Sequence, residues 1–144
     1  GFLGRYEYQL DQKGRLSLPA DYPRKAESGR FVLLQFEETH LTLFPEERWA
    51  VKQEEVLQLR KAKREMTSQI REVLSQATDV EPDKQGRILI PAWLKAQANL
   101  DGTVLVLGAV DRVELWNPET YESQRPEPAS LGADDVEDLH RILG

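Results

Sequence analysis

The chain writes one stretch twice, and that duplication limits its possible folds more than any other feature. Tyr8 to Ala20 reads YQLDQKGRLSLPA, and Val80 to Ala92 reads VEPDKQGRILIPA. Placing Asp11 on Asp83 sets Gly14 on Gly86, Arg15 on Arg87 and Pro19 on Pro91, a constant offset of 72 residues. The same offset carries Val32 and Leu33 onto Val104 and Leu105, Leu43 onto Leu115, Phe44 onto Trp116 and Trp49 onto Tyr121. A whole supersecondary unit is therefore duplicated, and the chain is expected to act through two equivalent elements.

Each copy has a plain conformational reading. An Asp at the first position of a turn accepts from the backbone two residues on, and a Gly at the fourth takes positive φ. DQKG and DKQG are thus expected to join two strands as tight hairpins, with Arg15 and Arg87 opening the return strands. Proline then ends LSLP and ILIP by removing a backbone donor, and suits the first turn of a helix. Each copy reads strand, turn, strand, short helix.

FVLLQF (Phe31 to Phe36) and the Thr103 to Leu107 segment are nearly continuous apolar runs, as in strands buried on both faces. Returning strands follow at His40 to Phe44 and at VELW. Between the copies, Trp49, Val56 and Leu59, then Met66, Ile70, Val73 and Leu74, follow helical spacing, with Arg60, Lys61, Lys63 and Arg64 separating the two stripes. This predicts a helical hairpin that breaks near Met66-Thr67. Its stripes serve either the core or a neighbouring chain. The resulting division is repeat one at 5–49, a helical linker at 50–76, repeat two at 77–121 and an acidic tail at 122–144. In the tail, Val136, Leu139, Ile142 and Leu143 give a final helix begun by Asp134 one apolar side, so the tail is expected to be mobile or docked on a partner.

The chain of 144 residues carries a formal charge of −6, which at first sight opposes a nucleic-acid partner. From Asn117 onward, however, seven acids face two bases, and the preceding residues hold 18 acids against 17 bases. Binding needs only one face of the right sign. The chain has no cysteine, which excludes disulfides and thiolate metal sites. The lack of cysteine also permits an intracellular address; no apolar run is long enough for a membrane helix and no leader pattern is present, so no membrane partner is expected.

Two aspartates related by a repeat invite comparison with a paired-carboxylate protease. Such sites follow Asp with a small hydroxyl residue and Gly, whereas Gln12-Lys13 and Lys84-Gln85 stand here, and an adjacent Arg holds an Asp ionised. His40 and His140 are the only histidines and have no carboxylates at metal-ligand spacing. No serine sits in a nucleophile elbow and no Gly-rich phosphate loop exists. The chain reads as a non-enzyme without cofactor or metal.

Arg15 and Arg87, with Lys13 and Lys84 beside them, remain. Each Arg could simply pair with its own Asp and stiffen the turn. Alternatively, an Arg at the mouth of a two-stranded ribbon can enter the major groove, where its fork matches guanine acceptors while lysines meet phosphate. Two such ribbons about an approximate two-fold axis would present a paired reading surface.

The opening FLGRYEYQLDQKGRLSLPADYPRK, the second DKQGRILIPAWLKAQANL, the helical insert and VLVLGAVDRVELW together resemble the MraZ family, regulators associated with the bacterial division and cell-wall gene cluster. One motif alone would indicate only the wider AbrB-like class. The resemblance implies an α+β, mainly β fold: a pseudo-two-fold, double-split (swapped-hairpin) β-barrel from two AbrB-like repeats. It further implies a homo-oligomeric ring and cytoplasmic, nucleoid-associated binding of double-stranded DNA at repeated promoter boxes, generally repressing its own operon. The DNA-binding positions would be Asp11, Lys13, Arg15, Asp83, Lys84 and Arg87, with turn glycines Gly14 and Gly86. The rival class is an oligomeric protein-binding scaffold whose hairpins are only structural.

Overall fold

A computed structural model of the chain describes residues 1–126 and 132–144. The apolar segments of repeat one become β1 (Arg5–Gln9), β2 (Arg15–Ser17), β3 (Phe31–Leu34) and β4 (His40–Pro45), and those of repeat two β5 (Thr78–Val80), β6 (Arg87–Leu89), β7 (Thr103–Gly108) and β8 (Val113–Trp116). Short helices α1 (Tyr22–Lys25) and α4 (Ala92–Gln97) follow the two prolines. The linker forms α2 (Glu46–Ala62), a 3-10 turn and α3 (Thr67–Leu74), breaking where the charged stretch predicts. After β8 come α5 (Pro118–Gln124) and α6 (Ala133–Leu143). Of the acidic tail at 122–144, residues 127–131 lie outside the described ones. No described helix is long and apolar enough to cross a membrane.

Six strands form one antiparallel sheet in the order β1-β7-β8-β4-β3-β5. Exchanging the repeats reads that order backwards, so the duplication has become an approximate two-fold axis between β4 and β8. Across this seam the His40 ring stacks on Trp116 at 4.3 Å, and the Arg112 guanidinium lies over Phe44 at 4.8 Å. Each repeat thus lays a flat cationic or imidazole group on the other's aromatic ring. His40 is buried, its Nε2 lying 3.2 Å from Glu37 and 3.5 Å from Glu114 carboxylate oxygens.

Three sequence expectations need correction. The Asp-x-x-Gly turns form, but their arms do not pair with each other as hairpins. β1 pairs with β7 of the other repeat, β5 with β3, and β2 with β6. Just before the turn, the Leu10 N–H donates to the Gly102 carbonyl at 2.8 Å, so that arm is bonded to repeat two. Second, the hydrogen-bonded ladder does not close into a barrel. The sheet ends at β1 and β5, and the three-residue strands β2 and β6 satisfy each other in a separate two-stranded ribbon.

The third correction is to the uniform offset. Phe31 stands opposite Val80, while Val104 stands opposite Tyr8, so β3 matches β7 one residue further along than the sequence alignment has it. The extra residue sits in the turn before β7, where Asn99 and Gly102 take positive φ, and it is recovered in a shorter β7–β8 connection. The slip has a cause in the pleat, because a one-residue shift moves every side chain to the other face. With it, Phe31 and Leu33 match Val104 and Val106, and all four face the common core.

That core lies between the sheet and the ribbon. Leu41, Leu43, Val113 and Leu115 join the four above on the sheet side, and Leu16, Leu18, Ile88 and Ile90 descend from the ribbon. Leu16 and Ile88 are directly opposite one another and have no exposed surface. Four residues of β3 are buried because its other face is covered by α2, as a two-sided apolar strand requires. The α2 stripe itself is not core: Trp49 and Val56 are half-buried and Leu59 is exposed.

Candidate nucleic-acid interface

The two motifs are mirror partners in bonding. Gly14 N–H donates to Asp11 carbonyl at 3.1 Å and Gly86 N–H to Asp83 carbonyl at 2.9 Å, with Gly14 at φ +87° and Gly86 at φ +79°. Asp11 N–H and Asp83 N–H each donate across the turn to the carbonyl of Arg15 (3.0 Å) and Arg87 (2.8 Å). A turn followed by a left-handed glycine is the usual short bulged loop. Inside it, Asp11 Oδ1 accepts from the N–H groups of Lys13 at 2.9 Å and Arg15 at 2.8 Å. Asp83 Oδ1 accepts from those of Gln85 at 2.9 Å and Arg87 at 3.0 Å.

These backbone donors, Arg15 N–H first for Asp11 and Arg87 N–H first for Asp83, hold both carboxyls below the usual carboxylate range. Both aspartates are therefore anions at neutral pH and serve the turn rather than proton transfer. The arginines differ in how firmly they answer. Arg87 Nε donates to Asp83 Oδ2 at 3.1 Å, whereas Arg15 Nη1 stands 3.8 Å from Asp11 Oδ2. Both side chains are about one-third exposed, so solvent screens these pairs and neither guanidinium is locked to its turn.

What the sequence presents as two ribbons is one. Arg15 lies opposite Leu89 and Arg87 opposite Ser17, while Leu18 N–H donates to Gly86 carbonyl at 3.1 Å and Ile90 N–H to Gly14 carbonyl at 2.8 Å. The motif turns cap opposite ends of this ribbon. Because Leu16 and Ile88 point into the core, Arg15, Ser17, Arg87 and Leu89 share its outer face. Arg15 and Arg87 are diagonal neighbours there, which sets their Cα atoms roughly 7–8 Å apart.

The lysines do not obey the symmetry. Lys13 is third in its turn and Lys84 second in the other, both exposed. Sequence reading missed a further cation, Lys95 of α4. The strand exchange brings its Nζ to 3.4 Å from where a Cβ on Gly14 would sit. The corresponding residue beside the second turn is Pro23, so the first turn is the more basic. Only the crossing of the chain shows this. Among the described residues no group of three metal-ligating side chains is placed to hold a metal ion.

Comparison with known proteins agrees with this duplicated architecture. A family model for the MraZ protein matches residues 2–70 and again residues 73–141. Transcriptional regulator MraZ of Thermomicrobium roseum is 37% identical over 142 residues, covering 99% of both chains. The protein of the same name from Leuconostoc citreum is 36% identical over 138 residues, covering 96% of both, and that from Alkaliphilus metalliredigens 32% identical over 143 residues, covering 99% of both.

Proposed function

The chain belongs to the MraZ family, and on that premise we propose that it is a DNA-binding transcriptional regulator, a repressor of its own operon that reads repeated promoter boxes. The observation that carries the reading is the shared outer face of the β2–β6 ribbon, with Arg15 and Arg87 on one exposed surface and an ionised Asp aiming each. A two-stranded ribbon fits the major groove, which is about 12 Å wide, and an Arg fork matches the O6 and N7 acceptors of guanine. Lys13, Lys84 and Lys95, beside the two turns, supply the positive charge that would meet the phosphates. Gly14 and Gly86 shape the turns that deliver these groups. Acting on chromosomal promoters, the protein works in the cytoplasm on the nucleoid, as a homo-oligomeric ring of several copies.

The 3.1 Å contact between Arg87 and Asp83 favours a second reading, an oligomeric scaffold for other proteins whose motifs only stiffen their turns. Fluorescence anisotropy separates the two. The upstream region of the protein's own operon should bind far more tightly than scrambled DNA of equal length. Replacing Arg15 and Arg87 together by Ala should abolish the preference in a folded, assembled protein. Equal weak binding to both DNAs by the parent protein supports the scaffold.

A further inference from the structure

Of the four side chains on the outer face of the β2–β6 ribbon, one has no polar atom. Arg15 stands opposite Leu89, and Arg87 opposite Ser17. The offset of 72 makes Ser17 and Leu89 equivalent, so the two ends of the ribbon agree in their arginines and differ in what stands across from them. Leu89 is 56% exposed, whereas the ribbon's other aliphatic residues, Leu16, Leu18, Ile88 and Ile90, are buried in the core. An exposed leucine by itself is ordinary on a protein surface. Its place here is not, because it puts an apolar group beside both guanidinium groups where the other copy has a hydroxyl.

The spacing suits a base edge. Ile90 N–H donates to the Gly14 carbonyl, which makes Arg15 and Leu89 the closer, non-hydrogen-bonded kind of pair, with Cβ atoms roughly 4.5–5.5 Å apart. Successive bases of a DNA strand are spaced by about 3.4 Å along the axis. With the Arg15 fork on a guanine, Leu89 falls over an adjacent base pair. A leucine has no donor for a phosphate and no partner for a polar base edge. The apolar group that the major groove offers is the C5-methyl of thymine.

We propose that Leu89 reads a thymine methyl beside the guanine addressed by Arg15, and that this contact adds a base preference the two arginines lack. Ser17, at the equivalent place, can bond to any base edge, so the methyl is required at one end of the ribbon only. The inference rests on the proposed DNA reading and names a further base contact within it.

Fluorescence anisotropy with the upstream region of the protein's own operon tests it, each thymine being replaced in turn by deoxyuridine, which removes the C5-methyl and keeps the base pairing. Burying one methyl is worth about fourfold in affinity, so the parent protein should lose about that factor at one thymine per engaged box. Leu89→Ser, which makes the two ends of the ribbon alike, should bind the thymine and deoxyuridine DNAs equally and still prefer both to scrambled DNA, and Leu89→Ala should do the same. Circular dichroism checks that the variants are folded, and the deoxyuridine series on the parent needs no variant at all. A parent indifferent to every methyl overturns the inference, while its preference for the promoter over scrambled DNA leaves the DNA reading standing. A methyl effect that persists in the folded variants belongs to another residue or to DNA shape, and also overturns it. A change of oligomeric mass in Leu89→Ser shows that a neighbouring copy covers Leu89, with the same consequence. A parent that does not distinguish promoter from scrambled DNA ends the DNA reading and the inference together.

Discussion

Gly14 and Gly86 occupy the same place in two copies of one motif, and by sequence they should answer a substitution alike. Their surroundings say otherwise. Both have positive φ, +87° and +79°, so an alanine at either carries the left-handed penalty of roughly 1–2 kcal/mol. At Gly86 nothing lies within 4 Å of the added Cβ. At Gly14 the Cβ would stand 2.9 Å from the Ile90 carbonyl oxygen, a backbone atom of the neighbouring ribbon strand. That strand cannot yield freely, because Ile90 N–H donates to Gly14 carbonyl at 2.8 Å and Ile90 is buried in the core.

Forcing such a contact apart costs typically about 1–3 kcal/mol beyond the conformational penalty. Gly86→Ala is then expected to cost about 1–2 kcal/mol, and Gly14→Ala about 2–5 kcal/mol. For a domain of this size 1 kcal/mol moves the melting temperature by about 4 °C, so Gly14→Ala should melt roughly 4–12 °C below Gly86→Ala. Calorimetry or circular dichroism at one fixed protomer concentration measures this, since assembly makes the melting temperature depend on concentration. Equal melting temperatures, or a greater loss at Gly86, would falsify the strand-exchanged ribbon, because a self-contained hairpin brings no Ile90 carbonyl to Gly14.

Leu16→Ala and Ile88→Ala, each emptying part of the core beneath the ribbon, should cost about 2–5 kcal/mol apiece by urea denaturation, and the double variant should depart from additivity by at least about 0.5 kcal/mol since the two residues are opposite. Lys95→Ala should lower the slope of log affinity against log salt by about one while leaving sequence preference unchanged, and an unaltered slope removes Lys95 from the interface. Because their folded carboxyls titrate below the ordinary 3.8, Asp11 and Asp83 contribute turn stability above that value and lose it as pH falls through their folded values. Protection of the Arg15 and Arg87 amides, taken against their intrinsic exchange rate at each pH, should fall over that range, and Asp83→Asn should flatten the response at Arg87 only.

The elements were legible because local chemistry fixes them. Asp-x-x-Gly turns, the prolines after LSLP and ILIP, and the two-sided apolar run at Phe31 to Leu34 all produced what their residues call for. The pairing of these elements was not legible. A turn specifies that two strands diverge from it, and says nothing about whether each then bonds to its sister or to a distant segment. Leu10 shows the choice being made, its N–H going to Gly102 in the other repeat. The register slip between β3 and β7 was hidden for a related reason: Val32-Leu33 and Val104-Leu105 look alike as letters, and only the need to face Phe31 and Val104 inward selects the shifted match. Lys95 was missed because its neighbour Gly14 belongs to the other repeat.

On the proposed DNA-binding reading, strand exchange also changes how many reading units the chain would possess. Two self-contained hairpins would be independent readers, and a chain could bind with either. Here β2 and β6 hold each other, so losing one motif disturbs the backbone that presents the second, and on the proposed DNA reading Arg15 and Arg87 would address neighbouring base pairs of a single contact. Substitutions at the two arginines should consequently be non-additive, unlike changes at separate sites. One three-residue ribbon per chain is a small contact for specific DNA binding, and the overall charge of −6 gives little general attraction to make up for it. Tight binding must then come from several copies on one DNA molecule. After the first ribbon engages, each further contact is intramolecular, and its effective concentration is set by how the copies are held together. If the proposed function holds, affinity for a promoter should depend on the junction between copies as well as on the arginines, and DNA bearing one box should bind far more weakly than DNA bearing several boxes in phase.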